Sequence, residues 1–336
     1  MTKRLADVAA FAGVSVATVR RVLGDKPGIA PATKAAVLTA LDVFGLNRPA
    51  KFRTAKDGLV GLVVPDLQNP IFPALVEAVS IGLVKLGLMT ALCTRTADGV
   101  SEANYIELLL RRDVAGIVFI GGSYADAGPE YGKELREREI PLVLVNAADE
   151  NDDVARVSVD DEAAAEQALA HLASLGHERI GLILGPEGHV PSARKLGAYV
   201  RHVRSSPEDQ SWRELVAHVH FSMEGGGVAM GRLLAQGVTG VVCASDALAL
   251  GAIRTARRRG FACPGDVSVV GFDDSTYMSV VEAPLTTIRQ PVRAMGAAAV
   301  KLLDAQINGQ AVPGEELLLE PELIVRASTG PRRPRA

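Results

Sequence analysis

The stretch LADVAAFAGVSVATVRRVL, residues 5–23, constrains this chain more than any other. Two short apolar-periodic runs flank Ala12, Gly13 and Val14. Val8 and Ala9 mark the inward side of the first run. Val19, Val22 and Leu23, at i, i+3 and i+4, mark that of the second. Gly13 falls where a sharp turn between helices needs a residue that tolerates positive φ. Ala9 is small where two crossing helices must approach. Ser15 suits the N-cap of the second run, because its hydroxyl can accept from an amide that otherwise has no partner. The order Ala9, Gly13, Val19, Val22 is helix-turn-helix spacing. Its second helix, with Ser15 and Thr18 at the entrance, would show Val16, Ala17, Arg20 and Arg21 to a DNA major groove.

Charge supports that expectation. Residues 1–56 hold ten Lys and Arg against three Asp, or +7, while the whole chain carries −3, so the remainder carries −10. A basic block on an acidic body points to an anionic polymer as partner for that block alone. At 336 residues two or three domains are expected, and 48% hydrophobic against 22% charged residues supports large buried cores. Aromatics at 4% suit aliphatic parallel sheets. No apolar run reaches membrane-spanning length and MTKRLADVAAF has no signal-peptide core, so a cytoplasmic protein with no membrane partner is expected. Cys93, Cys243 and Cys263 are widely spaced core residues of a reducing compartment. His218 and His220 alternate on an expected strand, but no third ligand accompanies them; neither a metal nor a cofactor is expected.

A third helix is expected from Pro31 to Phe44, with Val37, Leu38, Leu41 and Phe44 closing a three-helix core. Asn47 to Gly58 is a basic join. Thereafter strands and helices alternate. Expected strands are Leu59–Val64, Met89–Cys93, Gly116–Ile120, Leu142–Val145, Ile180–Leu184, Val216–His220, Gly240–Cys243 and Val267–Gly271. Expected helices are Phe72–Leu86, Glu102–Arg111, Glu130–Arg138, Glu162–Leu175, Ala193–Val203, Met223–Gln236 and Ala247–Arg259. The fold class is therefore α/β: an all-α headpiece followed by two doubly wound parallel-sheet lobes. Thr286–Gln290, Pro291–Asn308 and Leu323–Val325 are too short for a further domain and are expected to cross between the lobes.

The helix-turn-helix resembles the headpiece of the LacI/GalR transcriptional regulators. The body extends the match through VGLVVPDLQNPIF (60–72), HLASLGHERIGLILGP (171–186), SDALALGAIRTARRRGF (245–261), DVSVVGFDD (266–274) and PLTTIRQP (284–291). The resemblance covers residues 2–330 and implies a periplasmic-binding-protein-like body. It divides the chain into a headpiece (1–46), a hinge (47–58), one lobe from 59–159 plus 291–320, and a second from 160–290 plus 321–330. It implies that paired hinge helices enter the minor groove, where Phe52 takes the place of the family's wedge leucine. The family's Pro-Asn hinge opening is missing, and Pro49 lies three residues before Phe52, so a shortened hinge helix is expected. The family's tetramerising heptads are absent from the GPRRPRA end, and a homodimer is expected.

In open parallel sheets ligands lie beyond the carboxyl ends of the strands, here between two lobes. Phe72, Ser123, Asn146, Arg194, Phe221, Ser245, Asp246 and Asp273 are the candidates. Their carboxylates, amides, hydroxyls and rings suit a neutral polyol. By resemblance, Arg194 takes the effector-binding arginine's place through its spacing to Gly197, and Asp273 that of the effector-binding aspartate. Ser245 replaces a common Asn, and the aromatic after Gly197 is displaced to Tyr199. GPEG at 185–188 lacks a phosphate-loop ending and reads as a strand-to-helix turn. The implied function is a repressor on a near-palindromic operator, with Arg21 pairing guanine and Val16 and Ala17 reaching thymine methyls. Lys26 and Lys51 would grip phosphate, and Arg20 either phosphate or base. The effector is expected to be a sugar or sugar derivative, the alternative being a corepressor such as a nucleobase. A transport binding protein would lack the headpiece. An enzyme would need a nucleophile-base set or dinucleotide fingerprint, and neither is present.

Overall fold

The computed structural model describes residues 2–24, 26–44, 58–94, 101–122, 129–147, 154–203 and 210–332. Three helices come first: α1 (Thr2–Phe11), α2 (Val16–Leu23) and α3 (Pro31–Val43). They close on Val8, Ala9, Val19, Val22, Val37, Ala40 and Leu41, all buried. Gly13 has φ +63°, and the Val14 amide folds back onto the Ala9 carbonyl at 2.9 Å, ending α1. Ser15 then caps α2, its Oγ accepting from the Thr18 amide at 3.1 Å. Leu23 is partly buried and packs against this core. One expectation for the core is corrected. Phe44 is 43% exposed and sits edge-on to Phe11, centroids 5.8 Å apart. Helix α3 stops at Val43, and Phe44 follows it with its amide still bonded to the Ala40 carbonyl at 3.1 Å.

The body alternates strand and helix. β1 (Leu59–Val64), α4 (Ile71–Lys85), β2 (Met89–Thr94), α5 (Glu102–Arg111), β3 (Gly116–Ile120), α6 (Pro129–Glu137), β4 (Leu142–Val145) and β5 (Ala155–Val159) come first. Next are α7 (Asp161–Ser174), β6 (Ile180–Leu184), α8 (Val190–Val203), β7 (Val216–His218), α9 (Met223–Ala235), β8 (Gly240–Cys243), α10 (Asp246–Arg258), β9 (Ser268–Asp273) and β10 (Thr286–Arg289). Helix α11 (Val292–Ile307), β11 (Leu317–Leu319) and β12 (Glu322–Ile324) follow. One sheet runs β11-β5-β4-β3-β1-β2 and the other β12-β10-β9-β8-β6-β7. The strands pair in parallel except β10 with β12. β3 (GIVFI), β4 (LVLV) and β6 (IGLIL) are buried at every position, as strands with helices on both faces must be.

The chain passes between the sheets after β5, after β10 and between β11 and β12. Helix α7 packs on α8, β8, β10 and β12, whereas α11 returns to α4, β3, β4 and β5. β11 pairs with β5, and β12 with β10. These crossings hold the carboxyl ends of the two sheets together. The register of β9 on β10 sets Asp273 opposite Arg289, one residue before Gln290.

Several boundaries differ from the sequence reading. β9 starts at Ser268 and runs on to Asp273, β7 stops at His218, and α8 starts at Val190, three residues early. β5 and β11 were not anticipated. In β5, ARVSV, polar Arg156 and Ser158 alternate with apolar residues after an acidic run, yet Ser158 is only 1% exposed. Leu317 and Leu318 of β11 are 46% and 49% exposed, so no burial pattern marks that strand.

Gly13→Val should destabilise the headpiece by about 1–2 kcal/mol, since an L side chain must enter the left-handed region. Differential scanning calorimetry should show a lowered headpiece transition beside an unchanged body transition.

Candidate functional site

The carboxyl ends of both sheets open onto one cavity of about 780 Å³. Asp66, Gly121 and Asn146 reach it from behind β1, β3 and β4. Asp161 follows β5, the turn Pro186–Glu187–Gly188 follows β6, and Phe221 follows β7. Ser245, Asp273 and Gln290 complete the wall from the second sheet's strands. The GPEG segment is thus a strand-to-helix turn at the rim. His220 also lines the cavity beyond the end of β7, while His218 Nδ1 bonds the Gly185 carbonyl at 2.9 Å. Among the described residues no group of His, Cys, Asp and Glu could hold a metal ion.

Phe72 and Phe221 face the cavity from opposite lobes. Each is half-buried, packing partly on the core. Each ring lies against a glycine at a strand end, Phe72 on Gly121 and Phe221 on Gly185, where an added Cβ would overlap the ring. The two lobes therefore present the same device, a ring held flat by a missing side chain.

At the back of the cleft, Asp273 is 5% exposed and takes φ +120°. Its Oδ1 accepts from Gln290 Nε2 at 2.7 Å and its Oδ2 from Asn69 Nδ2 at 3.5 Å. Gln290 Oε1 in turn accepts from Asn146 Nδ2 at 2.7 Å, and Asn146 Oδ1 from the Val159 amide at 3.1 Å. This relay joins the first sheet's loops to the last strands of the second. Burial raises the Asp273 carboxyl well above the usual carboxylate range, and neighbouring Asp246 adds to this, against the Gln290 bond, the Lys195 charge and the Asn69 bond.

Arg194 is a correction. It does not line the cavity, and Lys195 does. Arg194 Nη1 and Nη2 grip Glu316, ahead of β11, at 3.0 and 2.6 Å. The cause is helical phase. Ser192, Lys195 and Tyr199, at i, i+3 and i+7, share the buried face of α8, and Arg194 falls beside it. The displaced Tyr199, whose hydroxyl donates to the Ile180 carbonyl at 2.8 Å, was the available signal: a cationic residue four positions before the aromatic is Lys195. The Lys195 ammonium pairs with Asp161 and lies 3.8 Å from the Phe272 ring centroid. Asn69, Asp161, Lys195 and Gln290 were all absent from the sequence candidates.

Asp246 is also corrected, since it too does not line the cavity. Its Oδ1 accepts from Thr287 Oγ1 at 2.6 Å and its Oδ2 from the Ser275 amide at 2.7 Å. It thereby holds β10 and the turn after β9 in place. Burial raises its carboxyl to about 6, against the bonds from Thr287 and Ser275. Ser245 lines the cavity, but its hydroxyl accepts from the Leu248 amide at 3.2 Å as the cap of α10. Ser123 lies outside the described residues.

On the headpiece, Ala17, Arg20, Arg21 and Lys26 are exposed, as is the Ser15 cap. Val16 is partly buried against the three-helix core, which limits its reach outward. Thr18 Oγ1 lies 3.0 Å from Ser15 Oγ. Arg21 Nη2 donates to the Pro27 carbonyl at 3.0 Å, tying α2 to the loop behind it. Lys51 and Phe52, with the whole 47–57 segment of the join, lie outside the described residues.

Known proteins match both parts. Residues 4–45 fit the model for bacterial regulatory proteins of the lacI family. Residues 169–329 fit that for a periplasmic binding protein-like domain. The HTH-type transcriptional regulator MalR of Streptomyces coelicolor is 47% identical over 334 residues, covering 98% of this chain and 97% of that protein. Among solved structures, the transcriptional regulator CelR–cellobiose complex superposes with a TM-score of 0.72 at 30% identity, over 96% of this chain and 99% of CelR. The lac repressor dimer bound to operator and the anti-inducer ONPF gives 0.68 at 26% identity, over 97% and 98%. No helix among the described residues is long and apolar enough to cross a membrane. With a reading headpiece, a two-lobed body and relatives matched nearly end to end, the chain belongs to the LacI family of transcriptional regulators.

Proposed function

We propose that this chain is a cytoplasmic, homodimeric repressor whose operator affinity is set by a sugar-class molecule held between its lobes. One juxtaposition carries the proposal. A basic helix-turn-helix shares the chain with a cavity lined by amides, carboxylates and two half-buried rings. Amides and carboxylates bond vicinal hydroxyls, and the rings can cover the apolar face of a pyranose. The cellobiose in CelR and the operator under the lac repressor support the same division of labour. Sheet topology supports lobe borders at the three crossings, giving 59–159 with 291–320 and 160–290 with 321–330, behind a headpiece of 1–46 and a hinge of 47–58.

In this proposal α2 enters the major groove. Arg21 exchanges its bond to Pro27 for guanine O6 and N7, Ala17 meets a thymine methyl, and Lys26 and Lys51 grip phosphate. Exposed Ile81, Val84, Met89 and Leu92 on the first lobe, and Val228, Tyr277 and Val280 on the second, are apolar surface for a second copy to cover. Two-fold symmetry of that pair would be matched by a near-palindromic operator. Inside the cleft, Phe72, Phe221, Asn146 and Asp273 bind the effector, while Lys195 holds Asp161 at the wall. Arg194 and Asp246 act through the residues they hold.

Arg21→Ala should weaken the selected operator by about 10- to 100-fold, the range for one bidentate base contact. Random duplex should weaken far less in the same gel-shift titration. Equal weakening of both would make Arg21 a phosphate contact. Asp273→Asn should abolish operator release by the sugar that releases wild type, while operator affinity without sugar is kept. Fluorescence anisotropy of labelled operator during a sugar titration measures both, and an undiminished response would remove Asp273 from the effector site.

A further inference from the structure

We infer that the cleft accepts an uncharged polyol and rejects phosphorylated or carboxylated sugars, and that Asp161 sets this selectivity. The inference rests on the cleft being the effector site. Its lining carries carboxylates at Asp66, Glu102, Asp161, Glu187 and Asp273, whereas Lys195 is the one lysine or arginine among the described lining residues. That ammonium is already committed. It pairs with Asp161 and lies over the Phe272 ring, and it is only 4% exposed. Among the described lining residues an anionic ligand would meet no lysine or arginine that lacks a counter-charge.

Asp161 supplies the complementary observation. It is 1% exposed, it is the first residue of α7 beyond the crossing, and it lines the cavity. One carboxylate oxygen takes Lys195, while Oδ2 has no hydrogen-bond partner among the described residues. A buried carboxylate oxygen of this kind needs a donor. Ligand hydroxyls are donors, and phosphate and carboxylate groups at neutral pH are acceptors. Asp273 is occupied differently. Both its oxygens accept from side-chain amides, which leaves it no oxygen without a donor. The rim histidines do not reverse the balance. His189 Nδ1 lies 3.0 Å from Ser192 Oγ and its ring is edge-on to Phe221.

The test uses the full chain in isothermal titration calorimetry at about pH 8, above the range of an ordinary imidazole. The probes are cellobiose, maltose and trehalose, each against its own 6-phosphate. A neutral disaccharide should bind, with its phosphate ester at least ~100-fold weaker, as placing like charges together demands. Asp161→Asn keeps the shape and leaves Lys195 without its counter-charge. It should weaken the neutral sugar and narrow the discrimination at least ~10-fold. Should that variant fail to fold, Lys195→Gln serves instead, and discrimination should hold or sharpen. A wild-type phosphate ester within about threefold of its parent overturns the inference and leaves the sugar-effector proposal standing. Discrimination unchanged in Asp161→Asn, or collapsed in Lys195→Gln, removes Asp161 from its role. Binding by none of these probes, with operator occupancy unaffected, overturns the sugar-effector proposal together with this one.

Discussion

A single buried carboxylate ties the two lobes together. Asp273 sits at the end of β9, and its hydrogen-bond partners come from other parts of the chain: Gln290 at the crossing after β10 and Asn69 in the loop after β1. Gln290 extends the tie to Asn146 behind β4. Out of water, each such bond is stronger and each loss more costly than at the surface. A change in the angle between the lobes must break this relay or supply substitutes for it. Ligand hydroxyls are suitable substitutes, since they donate to a carboxylate and exchange with amides. The relay holds this arrangement, and in the proposed reading it is what a ligand would compete with.

In that reading the competition would reach the headpiece through the way the chain is strung. β1 begins at Leu59, directly after the join, and ends at Val64, five residues before Asn69. At about 3.3 Å per residue, one strand spans from the join to the cleft floor. β1 is a rigid member, bonded on both sides to β2 and β3. A shift of Asn69 relative to Asp273 is then a shift of the first sheet, and with it of the point where the join attaches. Arg194 and Glu316 form a second tie between lobes, charged where the first is mostly amide. Coupling still requires the ligand to prefer one lobe arrangement, because equal affinity for both shifts nothing.

Much of this was legible in residue order. The turn at Gly13, the Ser15 cap and the Val8–Val19–Val22 core follow from local chemistry and helical spacing, and continuous apolar runs marked most parallel strands. What failed did so for physical reasons. β5 alternates polar and apolar residues and still lies inside a sheet, so its pattern imitates an exposed segment. Arg194 was chosen by its distance to Gly197, but a helix face is set by phase, and phase depends on where the helix begins. With α8 starting at Val190, Lys195 shares the face of Ser192 and Tyr199. Asn69 and Gln290 lie inside two of the quoted motifs and Asp161 in none, but neither motif says what the side chain meets. Their roles arise only when loops remote in sequence converge, which no local pattern encodes.

Backbone strain follows the same convergence. Asn146, Asp273 and Asp274 all take positive φ, at 52°, 120° and 54°, where a non-glycine residue costs of order 1–3 kcal/mol. Such conformations persist only where surrounding contacts over-determine them. Asn146 is held by Gln290 and the Val159 amide. Asp274 is held by Arg289 at 2.7 Å and Arg326 at 2.6 Å, which turn it away from the cleft. With Asp274 anchored outward, the turn can aim only Asp273 inward, and Asp246 secures the next residue through the Ser275 amide. Three neighbouring carboxylates thus have separate tasks set by their partners: arginines anchor Asp274, a hydroxyl and an amide fix Asp246, and two side-chain amides hold Asp273 at the cleft wall.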